Sequence, residues 1–212
     1  MLIELNQSAL QAYFGAVCTA PIFVAHQNVL EDIETLTFDE KNRMREFGSE
    51  KRKVEYILGR FALKDVLACI NHDADTSTIA WPSAFCSLSH SEGNAVAVAS
   101  IAVSGIGIDL QLNRTPSFEM ADRILSGPTL AFWQQLPDSD KAKTLQRLWT
   151  ANEAIYKACP APQPANFRHY RVHSPDLMES QASIDITPYQ FIVYSAELAN
   201  GFISIAIRQA DY

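Results

Sequence analysis

The chain has 212 residues, 48% hydrophobic and 19% charged, enough to bury one sizeable core or two small ones that share an interface, and this excludes a disordered chain. A formal net charge of -7 argues against a broad basic face for nucleic acid and leaves room only for a local basic patch. The four cysteines, Cys18, Cys69, Cys86 and Cys159, form no CxxC pair and have no histidine at zinc-ligand spacing, so they read as reduced, mostly buried thiols.

The stretch from Leu5 to Ala25 carries no charge, which raises a signal-peptide or membrane reading. It contains Asn6, Gln7, Ser8, Gln11, Thr19 and Pro21, with no Lys or Arg before Lys41, and a soluble cytoplasmic chain is the expectation. Leu2 to Leu5 and Ile22 to Ala25 look like strands. Asp39 to Phe47 is charged and amphipathic, and the three- and four-residue spacings between Val54 and Ile70 predict a helix. Asn71 to Ser77 reads as a loop.

Strands are predicted at Phe85 to His90, Ala95 to Ala102 and Ile106 to Leu110, with turns at Gly93-Asn94 and Ser104-Gly105. The middle strand alternates small apolar residues with Val. Helical spacing returns from Ser117 to Ala158, broken at Gly127-Pro128 and near Pro137, and the chain then becomes loop-like after Pro160. The last stretch gives strands at Ala182 to Ile186, Phe191 to Leu198 and Phe202 to Ile207, with Asn200-Gly201 as a hairpin turn. This order predicts an α+β protein of two halves, residues 1–103 and 104–212, packed as one unit with a site between them.

Three segments place polar groups beside apolar runs. In FCSLSHSEG, Ser89-His90 ends a strand before a turn, which by itself describes a capped turn with a hydrogen-bonded histidine. No GxSxG elbow surrounds Ser89, and strand neighbours face opposite ways, so serine-hydrolase chemistry fits poorly. In GIGIDLQ, Asp109 lies within an apolar strand and shares a face with Gln111; such a carboxylate must be paired, hydrogen-bonded or bound to a cation. In RLWTANEAIYKA, Glu153 and Lys157 stand at i and i+4 on one helix face, either as a solvated salt bridge or as part of a site beside Trp149.

In this order, SLSHS at 87 to 91, GIDLQ at 107 to 111 and WTANEAIYK at 149 to 157 resemble the 4′-phosphopantetheinyl transferases of the surfactin-synthetase-activating type, as does YILGRFALKDVL at 56 to 67. The resemblance implies two similar α/β-sandwich halves related by a pseudo-twofold axis, with coenzyme A between them and Mg²⁺ on its diphosphate. It implies that Asp109 and Glu153 hold the metal, that Lys157 contacts the reacting phosphate, and that Arg43, Arg60, Ser89 and His90 contact coenzyme A. The acceptor it implies is a serine of an acyl or peptidyl carrier protein, with Glu153 the candidate base. A monomer without nucleic-acid or membrane partners is the simplest expectation.

The chain departs from that pattern at Gln111, where a Glu is common, at Asn152, where a Lys is usual, and before the SHS strand, where DTSTIAWPSAF stands in place of a GKP turn. Gln111 can offer Mg²⁺ a neutral carbonyl oxygen as a third ligand. Asn152 removes a positive charge expected near the phosphates. These departures motivate an alternative, a homologue that binds coenzyme A or a carrier protein without transfer. Lys41, Arg43, Arg45, Lys51, Arg52, Lys53, Arg60 and Lys64 form a basic cluster suited to a polyanion, or equally a helix laced with salt bridges to the acidic residues among them.

Overall fold

A computed structural model describes residues 2–73 and 75–210. Its elements in chain order are β1 (Leu2–Ile3), α1 (Gln7–Val17), β2 (Phe23–Gln27), α2 (Phe38–Arg45), α3 (Glu50–Cys69), β3 (Cys86–Ser91), β4 (Asn94–Ala99) and β5 (Gly105–Leu112). They continue with α4 (Ala121–Ile124), α5 (Gly127–Gln135), α6 (Asp138–Ala158), β6 (Tyr170–Val172), β7 (Glu179–Ile184), β8 (Gln190–Leu198) and β9 (Gly201–Arg208). The mixture of helix and sheet is the α+β class that the sequence predicts. No helix among the described residues is long and apolar enough to cross a membrane.

Among the described residues two sheets form, a three-stranded one ordered β2-β4-β3 and a six-stranded one ordered β5-β9-β8-β7-β6 with β1 added beside β8. The pattern of β4 explains how they stack. Ala95, Ala97 and Ala99 lie under α3 with Leu58, Ala62, Leu63, Val66 and Leu67, where short side chains let the helix sit close. Val96 and Val98 point the other way, into a core shared with Leu10 and Phe14 of α1, Ile106, Ile108, Leu110 and Leu112 of β5, and the inner faces of β8 and β9. On the far side of the larger sheet, α4, α5 and α6 bury a third core against Ala182, Ile184, Phe191, Val193 and Ala206.

The break between β4 and β5 falls around Val103, but the residues before it do not all stay with the smaller sheet. β1 pairs in parallel with Glu197 and Leu198, and the Tyr13 hydroxyl of α1 donates to the Ser195 carbonyl at 2.9 Å. The two sheets differ in size, three strands against six, because the larger one takes β1 from the first half. α1 itself lies where only an uncharged stretch is read from sequence. Asn6 caps it by accepting from Ala9 N–H at 2.9 Å, and the Gln11 amide clamps β2 through the Ile22 carbonyl and Val24 N–H.

Two turns shift by one residue from the sequence expectation: Glu92-Gly93 connects β3 to β4 with both φ angles positive, and Ala199-Asn200 connects β8 to β9. The three residues of β6 lie in a region predicted as loop, and Ile186, predicted in a strand, is exposed beyond β7.

Gly107 sets the distance between β5 and α6. A Cβ there would lie 2.0 Å from the Ala154 carbonyl oxygen and 2.7 Å from Ala158 N, both backbone atoms that cannot swing aside. Gly107→Ala is therefore expected to push strand and helix apart and destabilise the chain by about 1–3 kcal/mol, measured by urea unfolding.

Candidate active site

β5 turns Ile106, Ile108, Leu110 and Leu112 into the shared core, so Gly105, Gly107, Asp109 and Gln111 face α6. The glycines bring the helix close, and Asp109 then meets Glu153 and Lys157 one turn apart on α6. Asp109 is 3% exposed. Its Oδ1 accepts from Lys157 Nζ at 2.7 Å and from the Ser89 hydroxyl at 2.8 Å, and its Oδ2 accepts from the Gln111 amide at 3.1 Å. Lys157 Nζ also donates to the Ile108 carbonyl at 3.0 Å. A buried carboxylate thus has the partners its burial requires.

Glu153 is held differently. Burial pushes its carboxyl up to about 7, the charge of Asp109 pushes the same way, and Lys157 opposes both. The charge of Asp109 makes Glu153 costlier to ionise, and the two carboxyl groups form an oxygen-only donor pair suited to Mg²⁺, which takes one or two carboxylates and completes its shell from phosphates and water. The residues fit the ion in that sense. Among the described residues no cluster of three or more His, Cys, Asp or Glu side chains gathers around one point.

Several residues stand differently from the sequence reading. Gln111, expected as a neutral metal ligand, turns the donor end of its amide to Asp109, because the neighbouring carboxylate oxygen is an acceptor. Ser89, expected on a coenzyme A phosphate, is 6% exposed and uses its proton on Asp109 while accepting from Leu110 N–H at 3.2 Å. Asn152 is buried and donates to the Ile124 carbonyl at 2.9 Å, tying α4 to α6.

His90 does stand at the edge of this group. Burial holds its pKa down, the carboxylate of Glu55 opposes that, and Lys157 and Arg52 reinforce it. Its Nδ1 is 3.9 Å from Glu55, which also pairs with Arg52 at 3.1 Å. His90 of β3 thus lies within the electrostatic reach of Arg52 on α3 and Lys157 on α6.

Arg43 and Arg60 gather elsewhere, around Tyr56. Arg43 is exposed, pairs with Glu46 and lies 5.7 Å over the Phe47 ring; Phe47 packs at 5.3 Å on Tyr56, and Arg60 lies 4.9 Å over Tyr56. Arg60 is buried, bonded to the Thr76 hydroxyl at 3.2 Å, with its Nε unpaired. Six members of the basic cluster, Lys41, Arg43, Lys51, Arg52, Lys53 and Lys64, are in ion pairs, so the salt-bridge-laced reading holds for most of it.

A cleft of about 270 Å³ opens beside Lys157, lined by Trp81, Pro82, Leu88, Tyr156 and Gln163. Sequence reasoning quotes the segments that hold Trp81, Pro82, Leu88 and Tyr156 but assigns these residues no role. A second cleft of about 360 Å³ begins at Gln111 and includes Arg114, Met120 and Trp149.

Residues 105–206 match the family model of the 4'-phosphopantetheinyl transferase superfamily. The match covers a little under half of the chain, from the first residue of β5 into β9, and so contains Asp109, Gln111, Glu153 and Lys157 but not Ser89, His90, Arg43 or Arg60. It supports a transferase of 4′-phosphopantetheine, a family that uses coenzyme A and carrier proteins. No curated protein is similar enough to the chain to count as a match.

The raised pKa of Glu153 has a consequence for stability. Folding favours its protonated form, so its contribution is fully present below the ordinary carboxyl range near 4.5 and is lost as pH rises through about 7. Thermal melts of the ligand-free chain between pH 5 and pH 8 are expected to show a smaller decline in Tm for Glu153→Gln than for the wild type.

Proposed function

We propose that this chain transfers 4′-phosphopantetheine from coenzyme A to a serine of an acyl or peptidyl carrier protein, in the manner of the surfactin-synthetase-activating type, and that it does so with Mg²⁺ in the cytoplasm. The observation that carries the reading is the contact of Asp109 on β5 with Lys157 on α6, with Glu153 on the same helix near enough to feel the charge of both. The two halves, each a sheet carrying one long helix, are read as pseudo-twofold partners.

In this reading the carrier serine oxygen attacks the phosphorus of coenzyme A, a phosphodiester forms, and adenosine 3′,5′-bisphosphate leaves. Asp109 and Glu153 would hold Mg²⁺, which supplies charge neutralisation at the diphosphate. Lys157, on the wall of the 270 Å³ cleft, places its ammonium where phosphate charge develops. Glu153, beside the same phosphorus, would be the group that accepts the serine proton, directly or through water. His90 and Arg52 add cationic or donor groups at the border, and the apolar wall of Trp81, Leu88 and Tyr156 excludes water from part of coenzyme A.

Incubation with apo carrier protein, coenzyme A and Mg²⁺ is expected to give a phosphopantetheine adduct by mass spectrometry, and chelation is expected to prevent it. Failure on several acyl and peptidyl carriers would sink the proposal. Asp109→Ala and Glu153→Ala are each expected to abolish transfer while circular dichroism stays that of the wild type. The engagement of Gln111 with Asp109 favours a second reading, binding without transfer; coenzyme A affinity that is indifferent to Mg²⁺, together with no adduct, selects it.

A further inference from the structure

β5 is the edge strand of the larger sheet, with β9 on one side only. Its outward N–H groups at Ile108, Leu110 and Leu112 need acceptors. They are met by side chains of the other sheet. Ser87, Ser89 and Ser91 of β3 accept from them in turn at 3.1, 3.2 and 3.0 Å. Period-two spacing on both strands keeps three hydroxyls facing three amides.

The middle rung does something its neighbours do not. The Ser89 hydroxyl, fixed by the Leu110 N–H, gives its single proton to Asp109 Oδ1 at 2.8 Å, the oxygen that also receives Lys157. Ser89 is 6% exposed, and its hydroxyl hydrogen is directed at Asp109. We propose that Ser89 is a positioning residue, which fixes the orientation of the Asp109 carboxylate and makes it depend on how the β3 sheet is seated against β5. The inference rests on the transferase reading, in which Asp109 holds the metal.

The test compares two rungs of the same ladder. Ser89→Ala and Ser91→Ala each remove one acceptor for a β5 amide, so comparable losses in melting temperature are expected; only Ser89→Ala also strips a donor from Asp109. Mn²⁺ is titrated into the full chain in the presence of coenzyme A, with binding read from the electron paramagnetic resonance signal of free Mn²⁺. Ser89→Ala is expected to weaken Mn²⁺ binding by about 10-fold or more, the usual effect of removing a hydrogen-bond partner of a metal ligand, while Ser91→Ala retains the wild-type affinity. Should Ser89→Ala fail to fold, Ser89→Cys keeps the volume with a weak donor and is expected to show the same loss. Equal Mn²⁺ affinity in the Ser89 and Ser91 variants, whether unchanged or weakened in both, overturns the positioning role. A wild-type chain that binds no Mn²⁺ overturns the transferase reading itself, which is a different result.

Discussion

An edge strand with three unpaired amides is the constraint around which this molecule is arranged. β5 completes its ladder with β9 on one side, and the N–H groups of Ile108, Leu110 and Leu112 on the other side would be costly to bury without acceptors. A further strand paired through its backbone would extend the sheet and separate the two cores. Serine hydroxyls allow β3 to approach side-on, so the smaller sheet abuts the larger one while Val96 and Val98 share a core with Ile106 and Ile108.

The same seam determines where chemistry can occur. One face of β5 is committed to the shared core, and the other is cleared of bulk by Gly105 and Gly107, so a 21-residue helix lies against it. Asp109 comes two residues later on that face, beside the seam and against the helix. Its carboxylate is reached from β3 by Ser89, from α6 by Lys157 and from its own strand by Gln111. Glu153 lies near enough to feel its charge. The ionisable groups are thus concentrated where strand, helix and opposing sheet meet, which is also where an anionic substrate would find a metal-binding pair and a lysine.

Much of this is legible in the chain because the elements obey strict periods. The alternation of small apolar residues with Val marks β4 as a strand, though which face lies under α3 comes only from the packing, and GIGIDLQ shows a strand that carries Asp109 and Gln111 on one face. Glu153 and Lys157 read directly from their spacing. Other features leave weaker marks. α1 has Leu10 and Phe14 as its fully buried pair and no charged residues on its polar side, so its amphipathic contrast is faint. β6 is only three residues long and is defined by pairing with β7. The direction of the Gln111 amide and the commitment of Ser89 depend on contacts between distant segments, which one-dimensional spacing does not contain. For Ser89 the resemblance names a residue of the site but not its partner, because the motif records position and not hydrogen bonding.

The pairing of β1 with β8 also bears on how the chain reaches this state. Leu2 and Ile3 lie opposite Glu197 and Leu198, a contact between segments separated by nearly the whole polypeptide. Loop closure over such a span is entropically expensive and comes after local contacts have formed. During synthesis the smaller sheet and α3 can assemble from the first hundred residues. The strip beside the end of β8 can be filled only once that strand has left the ribosome. Until then β1 has no strand to pair with, although α1 behind it is already tied to β2 through Gln11.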